Sequence, residues 1–224
     1  MNALVCLESV RPSRASRCAL RLACELGEGA RLVVLSAGGS VHSESLDLAR
    51  RCAAVTRVVH LDDPSLEVAD YFTLGMVLAE AARRLDASLV LTGESSDEEG
   101  QGLVPAALAH HLRAPLVSQV QAVRTSALCP DSVEVTLRAG GRLCRLFSPL
   151  PLVASVPASG TAARLAAERH PCGLEVLTLE QLGIDPSRLV FRPDLLGGFV
   201  PGPPAPFRHT TFDEAADLLL RRDP

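Results

Sequence analysis

SLVLTGESSDEEGQGLVPAALAHHL, residues 88–112, is the stretch on which the fold turns. It opens with an apolar, β-prone run without polar alternation, the pattern of a strand buried on both faces of a parallel sheet. A Gly-Ser-acidic loop follows and feeds straight into Ala and Leu at helical spacing, so the stretch reads as one βα unit. In an open parallel sheet such a loop lies beyond the carboxyl end of its strand, where ligands bind. The next helix there presents unpaired N–H groups and a partial positive charge. Taken alone, the same loop is equally readable as an ordinary connection.

Toward the N-terminus the unit repeats. Runs 3–7 (ALVCL), 31–36 (RLVVLS) and 57–61 (RVVHL) read as further buried strands, and 15–27, 43–54 and 67–85 carry helical spacing between them. Repeated βα predicts a three-layer, doubly wound, mostly parallel α/β sheet of Rossmann-like type. Its first strand ends at Glu8-Ser9-Val10 and its second at Ser36-Ala37-Gly38-Gly39. Those two loops are expected to join 93–101 at one edge, where small residues let a ligand approach the backbone. The three together suit a nucleotide-sized pocket, although Gly38-Gly39 alone also suits a tight turn.

Toward the C-terminus a helix is predicted over 101–113, and 116–124, 132–138, 142–147 and 151–156 read as strands, with Ala139-Gly140-Gly141 as a hairpin turn. A short helix is expected at 161–169, and LEVLTLEQLGID (174–185) reads as a strand entering another. The segment 192–209 is rich in Pro and Gly, and Thr210 or Thr211 is placed to cap a last amphipathic helix, FDEAADLLLRR. The expected organisation is an α/β domain over 1–190 and an extended arm with its helix over 191–224. That arm suits either embracing a partner or packing back on its own domain.

Composition removes several function classes. No apolar run reaches the roughly 20 residues of a membrane span, and MNALVCLESV reads as a strand instead of a signal peptide, so a cytoplasmic protein without a membrane span is expected. All 22 basic residues are arginine, which leaves no lysine for a phosphate loop of the Walker kind or for a Schiff base. A net charge of −4, one tyrosine and no tryptophan argue against nucleic acid. The seven cysteines form no CxxC pair and read mainly as structural thiols, and His110-His111 are helix neighbours pointing in different directions, so no metal site is expected. Ser95 and Ser96 have no patterned histidine nearby and 97–99 reads as a solvated acidic turn, so no catalytic residue is assigned.

LVCLESV, CALRLACELGEGARLVVLSAGG, DASLVLTGESSDEEGQ, RAGGRLCRLFSPLPLVASV and LEVLTLEQLGID together resemble, in order and spacing, the β (small) subunit of the electron-transfer flavoprotein family. The resemblance runs over nearly the whole chain, with few motifs intact. It implies the adenine-nucleotide α-hydrolase-like variant of the fold and a heterodimer with an α subunit that carries FAD. The β subunit itself would bind AMP, or a second FAD, and the dimer would carry electrons between flavin dehydrogenases and a quinone reductase or another acceptor. Such a chain is a carrier subunit and not an enzyme.

Transferred by position, the nucleotide site takes Cys6, then Ser13, Arg14, Ala15 and Ser16 at the first helix, then Ala37, and finally Gly93, Glu94, Ser95, Ser96, Asp97, Glu98, Glu99, Gly100 and Gln101. Gly100-Gln101 match the family's Gly-Gln pair. Ala15 stands where relatives carry an aromatic that approaches the partner's flavin. Glu99 stands where they carry threonine, and a carboxylate beside a phosphate repels it by about 1 kcal/mol at 4 Å in water, which Arg14 or Arg17 would offset by bidentate pairing. Two alternatives are a stand-alone adenine-nucleotide-binding module of universal-stress-protein-like fold and a nucleotide-dependent ligase or hydrolase on the same scaffold. The long C-terminal tail weighs against the first, and the missing lysine against the second.

Overall fold

β1 (Asn2–Leu7) lies at the centre of a seven-stranded sheet because nothing polar interrupts it: from Ala3 to Leu7 every residue is buried. A computed structural model describes residues 1–8, 10–27, 29–39, 43–67, 69–95, 102–125, 129, 131–160, 172–185 and 189. The helix expected at 161–169 and the whole of 191–224 lie outside the described residues.

After β1 come α1 (Arg14–Cys24), β2 (Arg31–Gly38), α2 (Glu44–Arg50), β3 (Val55–Asp62), α3 (Tyr71–Arg84), β4 (Leu89–Gly93), α4 (Val104–Leu112), β5 (Leu116–Val117), β6 (Val120–Thr125), β7 (Ser132–Ala139), β8 (Arg142–Pro149), β9 (Leu152–Val156) and β10 (Leu174–Leu177). Each of the first three helices begins at a side-chain cap. Ser13 Oγ accepts from Ser16 N, Ser43 Oγ from Leu46 N and Asp70 Oδ1 from Thr73 N, which satisfies N–H groups that a helix start leaves orphaned.

The large sheet has the order β10-β3-β2-β1-β4-β9-β5, and every pairing in it is parallel. Leu20, Leu22, Leu46 and Ala49 of α1 and α2 pack on the face formed by Val5, Val34 and Val58. Val77, Leu78 and Leu108 of α3 and α4 pack on the opposite face with Leu4, Leu35 and Val90. The architecture is therefore the three-layer, doubly wound one the βα repeat predicts. Chain order reverses between the neighbouring strands β1 and β4, and that switch point brings the loops after both strands to one crevice.

One expected strand divides. The run 116–124 is β5 and β6, separated at Ser118-Gln119, where Gln119 takes a left-handed φ of 59°. β5 pairs with β9 at the parallel edge, whereas β6 pairs with β7 in a separate antiparallel sheet of order β6-β7-β8. The turn between β7 and β8 is the expected one, with Gly140 and Gly141 at φ 54° and 77°, values that favour glycine in a two-residue hairpin. Val133 and Val135 turn inward to the α1 side of the core. The outer face of this small sheet leaves Leu143 and Phe147 65 % and 66 % exposed. Among the described residues no helix is long and apolar enough to cross a membrane.

Candidate functional site

The crevice at the switch point begins with two glycine contacts. Gly93 ends β4 where a Cβ would stand 2.7 Å from Ser16 Oγ, 2.8 Å from Ser16 N and 3.1 Å from Ala15 Cβ. Glycine is required there because the first turn of α1 lies directly on the strand. Gly102, with φ 64°, lets the backbone before α4 come within 2.9 Å of the Glu94 carbonyl oxygen, measured from the same notional Cβ. Four of the residues transferred by position, Ala15, Ser16, Gly93 and Glu94, are thus in one place. Cys6 pairs in register with Thr92 on one side and Leu35 on the other, and Ala37 lies near the end of β2.

A residue the sequence reading did not single out organises the α1 side. Glu8 follows β1, and its two carboxylate oxygens accept from Ser13 N at 3.1 Å and from Ser16 Oγ at 2.9 Å. The start of α1, a natural seat for an anion, is therefore occupied by the chain's own carboxylate. Arg14 donates from Nε to the Ala158 carbonyl at 2.8 Å, so this guanidinium is turned toward the segment after β9. Ala15 is 1 % exposed. Its methyl group is buried in the chain's own core.

The α4 side is different. Leu103 occupies the cap position and its side chain makes no capping hydrogen bond, while Pro105 sits in the first turn. Proline is tolerated there because the N–H it lacks would have had no intrahelical partner. In front of this turn lies a depression of about 290 Å³ lined by Glu94, Ser95 and Gly102 from the β4 loop, Pro105 and Leu116 beyond it, and Ser118 and Ser155. Gln119 donates from Nε2 to Glu94 Oε1, and Glu94 N donates to the Val156 carbonyl at 2.9 Å. These bonds tie the carboxylate and its backbone to the rim.

Below the rim, Cys6, Thr92 and Ser155 stand in register on three adjacent strands. All three are buried, and Thr92 Oγ1 has no hydrogen-bond partner. Burial, with the Glu8 carboxylate as the lesser cause, pushes the Cys6 thiol up to about 12, which disfavours its thiolate. The described part of the arrangement offers serine side chains and closely approaching backbone beside the start of α4, features suited to binding. Among the described residues no cluster of His, Cys, Asp and Glu has the grouping needed to hold a metal ion.

Ser96, Asp97, Glu98, Glu99, Gly100 and Gln101 lie outside the described residues. Glu8, Thr92, Ser118 and Ser155 are the residues sequence reasoning missed. The available signal was a polar residue closing an otherwise apolar strand run, as in LVCLE, LVLT and LVAS. The family model described as an electron transfer flavoprotein domain matches residues 4–177. No curated protein matches the chain.

Proposed function

The chain belongs to the electron transfer flavoprotein family, and from that membership we propose that it is a β-like subunit that pairs with an FAD-bearing α subunit. The family's members are electron carriers and not enzymes. In this reading the pair moves electrons between flavin dehydrogenases and a quinone reductase or another acceptor. The β-like chain holds an adenine nucleotide, AMP or the adenylate half of a second FAD, at the switch-point crevice, and acts in the cytoplasm.

The observation that carries the reading is the meeting of the family match with an α4 start that its cap residue Leu103 leaves without a side-chain hydrogen bond, beside a depression lined in part by Ser95, Ser118 and Ser155. A phosphate is served best there, by backbone N–H groups and the helix dipole. The α1 start is already satisfied by Glu8. Two further features support a partner. Leu143 and Phe147 stand exposed together on one sheet face, the kind of patch that marks interaction surfaces. With Ala15 buried, the electron path does not run through that residue, so the flavin is expected to be enclosed mainly by the α subunit.

The test is to co-express the chain with an α-like subunit, purify the complex, release small molecules by heat and identify them by mass spectrometry. One FAD with one AMP per heterodimer supports the carrier reading, and two FAD supports its bifurcating form. Failure to form a complex, with ATP or AMP on the lone chain, replaces it with the stand-alone nucleotide-binding module.

A further inference from the structure

Two helix starts flank the crevice, and the chain treats them differently. At α1 the donors are engaged within the chain: Ser13 N donates to Glu8 Oε2 at 3.1 Å, Ser16 Oγ to Glu8 Oε1 at 2.9 Å, and Ser16 N to the capping Ser13 Oγ at 3.1 Å. The same Ser16 hydroxyl stands 2.7 Å from where a Cβ on Gly93 would lie, so a single side chain separates the Glu8 carboxylate from the end of β4. The two arginines of this turn are directed elsewhere. Arg14 donates from Nε to the Ala158 carbonyl at 2.8 Å, and Arg17 donates from Nε to the Pro12 carbonyl at 3.3 Å, with Nη2 3.9 Å from the Glu44 carboxylate.

At α4 the Leu103 side chain makes no capping hydrogen bond, and Pro105 in the first turn brings no N–H, so donors remain there but are few. A buried hydroxyl marks the same end. Thr92 is 4 % exposed with Oγ1 unpartnered, and it stands in register with Cys6, whose side chain joins the α3 and α4 side of the core. The orphaned hydroxyl therefore lies on the face that α4 covers, in register with Ser155 of the depression.

We propose that Glu8 makes the crevice selective for a nucleotide with a single phosphate: AMP enters, and the pyrophosphate of ADP, ATP or a second FAD is rejected. This selectivity rests on the nucleotide reading above and decides between its two ligands. The one phosphate takes the N–H groups at the start of α4. A second, displaced toward α1, meets a carboxylate where a helix start would otherwise offer N–H groups and a partial positive charge. Like charges that close at a protein surface lower affinity by about tenfold or more. Glu8 thus acts as a specificity-determining residue, by holding the second seat closed.

The test uses the heterodimer with an α-like subunit, as the parent and as Glu8→Gln, Glu8→Ala and Glu8→Asp. Each complex is dialysed against an equimolar excess of AMP, ADP and ATP without magnesium and washed, and its small molecules are released by heat and quantified by mass spectrometry. The parent should hold AMP in excess over ADP and ATP by about tenfold. Glu8→Gln and Glu8→Ala should bring that ratio near parity, whereas Glu8→Asp, which keeps the charge, should preserve the excess. If Glu8 were merely structural, its removal would lower all three nucleotides together and leave their ratio unchanged, and that result overturns the proposal. So does ADP or ATP at the level of AMP in the parent, or two FAD per heterodimer, and in each of these cases the carrier reading survives. A parent complex with no nucleotide beyond the α subunit's FAD, or no complex at all, ends the nucleotide reading and this selectivity with it.

Discussion

His60 is the clearest case of a single side chain whose environment sets a measurable property. It is 0 % exposed, lies against the backbone of Ser36 and Gly38, and has no hydrogen bond of ordinary geometry on either ring nitrogen. Burial is the largest influence and pushes its pKa below the usual 6.5, against the smaller opposing pull of Asp62. The folded chain therefore holds the imidazole neutral. As pH falls through the ordinary value the unfolded chain binds a proton that the folded one refuses, and stability is lost down to the folded pKa, by up to about 1.4 kcal/mol per pH unit. His60→Leu should remove this dependence. In urea unfolding between about pH 7.5 and pH 5.5, the stability of the parent relative to the variant should decline toward acid, and a constant difference would refute the assignment. At this scale the sequence was partly legible. RVVHL announced a buried strand, and the histidine within it was visible as a polar residue in an apolar run. Glu8 was not legible, because its bonds to Ser13 and Ser16 depend on how the chain bends through the intervening residues, and no spacing rule encodes that bend.

At the scale of elements, α3 and α4 approach closely at Gly75. Gly75 lies in α3 where an added Cβ would stand 2.5 Å from Ala107 Cβ, 2.8 Å from Leu108 N and 2.9 Å from the Ala107 carbonyl carbon. Two effects compete in Gly75→Ala. Helix propensity favours alanine by about 1 kcal/mol, while overpacking costs about 1–3 kcal/mol. The second wins here because two of the three obstructing atoms are backbone and cannot rotate away. A net loss of about 1–2 kcal/mol is expected by denaturant titration, and an unchanged or raised midpoint would show that the helices separate at little cost. The βα units that these helices complete were legible in the alternation of apolar runs with helical spacing. The division of 116–124 was not, because LV and VQAVR carry the same β signal and only their partners, β9 and β7, differ.

For the whole molecule the question is what retains the outermost strand. β10 pairs with β3 and is linked to it by an ion pair from Arg57 to Glu175, while Leu179, just beyond, is 1 % exposed in the core. Both partners of the ion pair are about two-fifths exposed, so the pair is screened and worth about 0–1 kcal/mol. Truncating Leu179 removes buried methyl groups and leaves a cavity, at about 2–5 kcal/mol. Leu179→Ala should therefore lower stability several times more than Glu175→Ala, measured by thermal or urea unfolding, and a comparable loss from the two would mean that charge holds the edge. The fold class was legible at this scale because a parallel sheet writes itself as unbroken apolar runs. The approach of the first turn of α1 to the end of β4 followed from the repeated βα units, but the bonds by which Glu8 satisfies the α1 start did not.

The strand order also sets a timetable. β3 is complete at Asp62, yet the strand that covers its outer edge is not complete until Leu177. A ribosome adding about 5–20 residues per second leaves that edge open for roughly 5 to 20 seconds of synthesis. Unpaired strand edges invite other chains to add to them. A nascent molecule of this protein thus depends, during that interval, on whatever the cell supplies to shield an exposed strand, and its yield in a foreign host should be governed by translation speed and chaperone supply as well as by final stability.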